Sequence, residues 1–132
     1  MAMFNRNKAP DGQSPQASPV YRVAPMDTRE GILRPLREQA GTNLIILPRT
    51  HPFRIGRDST CDLQLFDVRV SRNHAQIEFS SGEYILSDLN SANGVYVNGN
   101  RLTNPVVLQD NDVLEIGRFD GIVLCFEFVE LD

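Results

Sequence analysis

The sequence predicts an all-β fold, a two-sheet β-sandwich, on three observations. Short apolar segments recur at close spacing from Leu44 to Val129, most alternating apolar with polar residues as half-buried strands do. Turn dipeptides, Ser81-Gly82, Asn93-Gly94 and Asn98-Gly99, punctuate them. Nothing within that span has the 3.6-residue apolar period of a convincing helix, and many short strands separated by turn signals form sandwiches.

In order, Leu44-Ile45-Ile46-Leu47 begins the folded body as a fully apolar strand closed by Pro48. Phe53 and Ile55 alternate around Arg54 and end at Gly56, and Asp62-Leu63-Gln64-Leu65 alternates again before a polar loop from Asp67 to Asn73. The next strand, from His74 to Phe79, puts Ala75, Ile77 and Phe79 on one side; Ser81-Gly82 then turns the chain back through Tyr84-Ile85-Leu86. A second tight connection spans Asn90 to Gly94, and Asn98-Gly99 is a strong type I′ signal joining Tyr96-Val97 to Leu102. Val106-Val107-Leu108, Val113 to Ile116 and Ile122 to Val129 complete the set.

Residues 44–132 therefore form one domain, and residues 1–43 read as a flexible N-terminal tail. Pro10, Pro15, Pro19 and Pro25 stand among Gly, Ser, Gln and Ala, with too few large apolar groups to offset the entropy of ordering. Within the tail, Ile32, Leu33 and Leu36 share a helical face and Asp27 or Thr28 is placed to cap it, but Pro35 sits inside. A short helix over 28–39 and an extended docking segment are both open.

Charge is unevenly divided. Residues 1–43 hold six basic and four acidic groups, leaving seven basic against thirteen acidic in the remainder. An acidic body argues against general nucleic-acid binding, whose affinity comes largely from Lys and Arg meeting phosphates. Cys61 and Cys125 are the two cysteines, outside any Cys-x-x-Cys or His-rich setting, so they read as buried small hydrophobes and no metal or other cofactor is expected. The apolar runs are far too short for a membrane helix and no signal-peptide core opens the chain, so the expectation is a cytoplasmic protein with no membrane partner.

Three polar clusters fall at strand ends, where binding groups usually sit: Gly56-Arg57, Ser71-Arg72-Asn73-His74, and Asn90 to Gly94. Arg57 and Arg72 are suited to meet an anion, while Ser71 and Asn93 add neutral hydrogen bonds. No nucleophile–base pair or metal spacing accompanies them, so the pattern points to binding, with no catalytic residue.

Taken together, Gly56-Arg57, Ser71-x-x-His74 and Asn93-Gly94, with Asp62, Asp67 and Asp88 at matching intervals, resemble the forkhead-associated (FHA) domain, a phosphothreonine-reading module with an FHA/SMAD-like sandwich. The resemblance runs from about Leu44 to Val129. It implies that Arg57 contacts the phosphate directly, that Ser71 is a phosphate ligand, that Arg72 reaches phosphate as well, and that Asn93 clamps the backbone of a bound peptide. His74 is implied to be structural, with Gly56 and Gly94 supporting the loops. Ala92 stands where the family usually has Thr, which removes one polar contact or leaves it to the backbone amide. Arg69, Val70, Asn90 and Arg118 are the loop positions expected to read sequence around the phosphothreonine.

The implied partners are threonine-phosphorylated proteins, with a Ser/Thr kinase upstream. A second reading is an FHA-like protein-protein scaffold that needs no phosphate, motivated by Ala92. Thr28, in a mixed acidic and basic stretch, is a further candidate phosphosite, one that would fold back into the domain's own cleft or enter a neighbour's.

Overall fold

A computed structural model describes residues 29–36, 43–117 and 121–130 of the protein. Eleven strands run in chain order: β1 (Arg29–Pro35), β2 (Ile45–Ile46), β3 (Phe53–Gly56), β4 (Leu63–Gln64), β5 (Ala75–Ser80), β6 (Glu83–Asp88), β7 (Val95–Val97), β8 (Asn100–Arg101), β9 (Val106–Val107), β10 (Asp112–Ile116) and β11 (Ile122–Glu130). They form a six-stranded sheet in the order β2-β1-β11-β10-β7-β8 and a five-stranded sheet in the order β4-β3-β5-β6-β9. No helix occurs among the described residues.

The two sheets bury one core between them. Leu33, Leu114, Ile116, Leu124 and Phe126 come from the first sheet, Ile55, Ile77, Tyr84 and Leu86 from the second, and all belong to one contiguous cluster. The alternation read from the sequence is visible in β5, where Ala75 and Ile77 are buried and Glu78 exposed, and in β3, where Phe53 and Ile55 flank an exposed Arg54. The β5–β6 hairpin turns through Ser81 at φ 52° and Gly82 at φ 82°, and the β7–β8 hairpin through Asn98 at φ 51° and Gly99 at φ 85°. Positive φ at both central residues is the type I′ geometry, whose twist matches that of the strands. The second turn is reinforced by its own side chain: Asn98 donates to Asp112 and accepts from the Val113 amide, both at 2.9 Å.

One expectation is corrected. The segment over 28–39, open between a short helix and an extended docking segment, contains the strand β1, paired between β2 and β11, so the helix does not form over 29–35 and the folded body takes in residues before 44. Compactness agrees, since one unit runs from Glu30 to Val129. The physical reason lies in two residues. Pro35 has no N–H to give a helix, and Gly31 is needed where the strand passes the aromatic core. A Cβ at Gly31 would lie 2.7 Å from the Tyr84 ring and 3.0 Å from that of Phe126, while its amide donates to the Tyr84 hydroxyl at 3.2 Å. The apolar run at 44–47 contributes only the two-residue edge strand β2, with Leu47 buried and Ile46 58% exposed. The rest of the 1–43 tail, Thr28 included, and Arg118 lie outside the described residues apart from β1, Leu36 and Asn43.

Candidate functional site

The β3–β4 connection (57–62), the β4–β5 connection (65–74) and the β6–β7 connection (89–94) are tied together by hydrogen bonds, which place the three polar clusters side by side. The first two are zipped at their backbones. Arg57 N donates to Ser71 O at 3.0 Å, Asp58 N to Arg72 O at 3.1 Å, and His74 N to Ile55 O at 2.9 Å. Gly56 makes the approach possible, but not through an unusual backbone angle. Its positive-φ counterparts are Gly82, Gly94, Gly99 and Gly117, whereas at Gly56 a Cβ would stand 2.1 Å from the Arg72 carbonyl oxygen. Close packing of two chain segments is what requires the glycine.

Arg57 then points along the second loop. Its Nε donates to the Val70 carbonyl at 2.8 Å, which fixes the plane of the guanidinium and leaves the terminal nitrogens, on an exposed residue, with no acceptor among the described residues. Neither neighbouring carboxylate claims it. Asp62 accepts from the Arg54 amide at 2.8 Å, and Asp58 accepts from the Thr60 hydroxyl, which with a smaller pull from Arg72 holds Asp58 below the usual carboxylate range.

His74 joins the second loop to the third. The ring is fully buried, its Nδ1 takes the Ser71 amide proton at 2.9 Å, and its Nε2 meets the Gly94 carbonyl at 2.8 Å. An acceptor at Nδ1 and a donor at Nε2 define one neutral tautomer. Burial lowers its pKa from the ordinary value of 6.5, with Gly94 and Asp88 opposing more weakly. Both nitrogens are committed to backbone groups, so the ring spaces the loops.

The third loop is braced in turn. Asn93 donates through its side-chain amide to the Arg69 carbonyl at 2.8 Å, and the Ala92 amide donates to the Ser71 hydroxyl oxygen at 3.0 Å. With its oxygen accepting from Ala92, the Ser71 hydroxyl keeps its proton to give elsewhere. Gly94 takes φ 89°, a conformation that favours glycine.

Arg57, Ser71, Arg72, Ala92 and Asn93 therefore stand on three loops bonded to one another, with Arg57, Arg72 and Ala92 exposed and Ser71 and Asn93 half-buried. Of the rim positions, Asn90 is exposed, in a left-handed conformation at φ 62°. Val70 is a correction: only 1% exposed, it packs into the core and offers the site its carbonyl, because the loop folds inward there. Arg69 is held by Asp67, with Nε to Oδ1 at 2.9 Å and Nη2 to Oδ2 at 2.6 Å. The three acidic residues at family-like intervals all terminate backbone, since Asp62 accepts from Arg54, Asp67 from Arg69 and Asp88 from Ser91.

Two contributors are absent from the sequence reading. Ser91 is buried and caps its own turn, accepting from the Gly94 amide at 3.0 Å while its amide donates to Asp88 at 2.8 Å; the Asp88-x-x-Ser91-x-x-Gly94 spacing carries that signal. Arg101, on β8, lays its guanidinium against Gly94, where a Cβ would meet Nε at 2.8 Å. Only the pairing of β7 with β8 brings it there.

Comparison with known proteins places this arrangement. The FHA domain family model matches residues 53–117. An oxoglutarate dehydrogenase inhibitor of Corynebacterium efficiens is 44% identical over 69 residues, which are 52% of this chain and 48% of that protein. The glycogen accumulation regulator GarA of Mycolicibacterium smegmatis is 41% identical over 69 residues, 52% of this chain and 43% of the regulator. The matched region thus spans less than half the length of these curated relatives. Among solved structures, EmbR of Mycobacterium tuberculosis in complex with a low-affinity phosphopeptide superposes with TM-score 0.68 at 27% identity, covering 83% of this chain and 29% of that one. The FHA domain of an Arabidopsis thaliana hypothetical protein superposes with TM-score 0.71 at 25% identity, covering 92% and 98%. The chain carries a forkhead-associated (FHA) domain, with the family match lying on the strands and loops that carry Arg57, Ser71 and Asn93.

Proposed function

We propose that this protein is a phosphothreonine-dependent peptide-binding adaptor acting downstream of a Ser/Thr kinase. The observation that carries the reading is the Arg57 guanidinium, anchored through Nε to Val70 O with its terminal N–H groups left for an outside acceptor. A phosphate set there takes two parallel hydrogen bonds from the terminal nitrogens, a third from the Ser71 hydroxyl, and the field of Arg72. A phosphothreonine brings about −1.5 to −2 charges at neutral pH, and each hydrogen bond to it contributes about 1.5 to 3 kcal/mol. After the cost of association, two or three such bonds with a few backbone contacts give roughly micromolar binding, suited to reversible assembly.

Ala92 fits the scheme. Its amide proton already holds Ser71, so the backbone orients the phosphate ligand while the methyl adds no polar contact. Asn93, whose amide nitrogen secures Arg69 O, turns its carboxamide oxygen to the peptide backbone as an acceptor. Support from relatives is in kind: EmbR has been solved with a phosphopeptide, and a further FHA structure, 26% identical with TM-score 0.66, comes from work on phosphothreonine-dependent FHA interactions.

The test is calorimetric titration of the protein with a phosphothreonine peptide library and its unphosphorylated twin. Binding only to the phosphorylated set, weakened roughly ten- to a hundredfold by Arg57→Ala, is expected. A partner that stays bound after phosphatase treatment and in Arg57→Ala would replace the proposal with a phosphate-independent scaffold.

A further inference from the structure

The chain holds two Asn-Gly dipeptides, Asn93-Gly94 and Asn98-Gly99, and the fold treats them in opposite ways. An asparagine followed by glycine can lose its side-chain amide without an enzyme. The glycine backbone nitrogen attacks the asparagine Cγ, its proton leaves with the departing amide as ammonia, and water opens the resulting cyclic imide to an aspartyl or isoaspartyl residue. Glycine offers no side chain to obstruct that attack. The reaction does need a free backbone nitrogen and a chain able to leave its folded turn.

At Asn93-Gly94 neither condition is met. Gly94 is buried, its amide donates to Ser91 Oγ at 3.0 Å, and its carbonyl accepts from the Gly117 amide at 3.1 Å and meets His74 Nε2 at 2.8 Å. The Asn93 side-chain amide is held by Arg69 O at 2.8 Å, so freeing this pair means taking apart the bonded loops. Asn98 and Gly99 are both exposed, a Cβ on Gly99 would meet nothing within 4 Å, and the Gly99 amide has no acceptor among the described residues. What holds this turn is a bracket to β10. Asn98 Nδ2 donates to Asp112 Oδ1 and Asn98 Oδ1 accepts from the Val113 amide, both at 2.9 Å, while the Asn98 amide donates to Val113 O at 2.8 Å. The strand beyond is slight: β8 is two exposed residues at the edge of its sheet, paired only with β7. Opening it exposes little apolar surface, which puts it at the low end of local stability.

We propose that Asn98 is a self-deamidation site of this domain, reached by local opening of the β7–β8 hairpin, and that Asn93 is spared while the domain stays folded. The product cannot rebuild the bracket. A carboxylate replaces the donor that faced Asp112, whose other oxygen already accepts from the Gln109 amide at 2.8 Å. The isoaspartyl form also inserts a methylene into the backbone of the turn. Each conversion therefore detaches the hairpin from β10 irreversibly.

The test is incubation of the full chain in warm, mildly alkaline buffer, with peptide mass spectrometry to read conversion at each asparagine and isoaspartyl methyltransferase labelling to identify the product. Expected are conversion at Asn98 at least about tenfold faster than at Asn93 in the folded protein, and comparable rates at both in denaturant. Asp112→Ala removes one arm of the bracket and should speed conversion at Asn98 severalfold with Asn93 unchanged; acceleration of both alike would make the opening global and overturn the local route. Asn98→Asp should lower Tm at neutral pH, with the deficit narrowing as pH falls toward about 4, where one of the two facing carboxylates takes up a proton. A wild-type Tm in that variant would overturn the detachment. An Asn98 that stays intact in the folded protein while both sites convert in denaturant, or an Asn93 that converts as fast, overturns the proposal.

Discussion

The carbonyl oxygen of Arg72 lies 2.1 Å from where a Cβ on Gly56 would stand, so the β3–β4 and β4–β5 loops are in contact only because residue 56 has no side chain. The neighbouring bonds, Arg57 N to Ser71 O and Asp58 N to Arg72 O, depend on that approach. Gly56→Ala should push the loops apart, lower the stability by about 1–3 kcal/mol, and weaken phosphopeptide binding with Arg57 and Ser71 both still present. Thermal melts paired with titration check this; a variant with unchanged melting and binding would mean the loops give way without cost.

Arg57→Ala should leave the fold intact, because the residue is exposed and its one internal bond is to a loop carbonyl. Its effect belongs to binding: loss of a charge-assisted fork is worth about 1.5 to 3 kcal/mol, or roughly ten- to a hundredfold in Kd. Arg57→Lys restores charge but not the planar fork and should recover only part of the affinity. Full recovery by lysine would show that charge alone suffices.

His74 makes stability depend on pH in a defined direction. Its pKa in the folded protein is depressed by burial from 6.5, so below that value the unfolded chain takes up a proton more readily than the folded one. The contribution of the neutral ring is fully present above pH 6.5 and is lost as pH falls from there toward the depressed value. Protonation of Nδ1 would also abolish the acceptor for the Ser71 amide. His74→Gln should cost about 1–3 kcal/mol near neutral pH and flatten the melting curve's dependence on pH just below the ordinary histidine range. An unaltered slope in the variant would assign the dependence to other groups.

Gly31→Val tests the place of β1. Added atoms would collide with the rings of Tyr84 and Phe126, so the substitution should destabilise the domain by about 1–3 kcal/mol, seen as a drop in Tm of roughly 4–8 °C per kcal/mol. A neutral result would mean that residues 29–35 do not pack on the aromatic core in solution.

The sequence by itself determined what depends on local chemistry. Alternation marked β3, β4 and β5, Ser81-Gly82 and Asn98-Gly99 marked the hairpins, and the three polar clusters were legible because turn residues and binding groups share strand ends. Tertiary structure decided what depends on contact between distant residues. It made Arg29–Pro35 a strand, since a short segment holding Gly and Pro takes the form its neighbours Tyr84 and Val123 supply: Leu36 N bonds to Val123 O at 3.1 Å. It buried Val70 while leaving Phe66 and Val68 in water, a choice set by which way the loop folds and not by hydrophobicity. It paired Asp67 with Arg69, set Arg101 against Gly94, and gave Gly56 its reason in the closeness of another chain segment. Periodicity and turn preference act over a few residues and can be read from them, whereas burial, pairing and close approach belong to the folded chain as a whole.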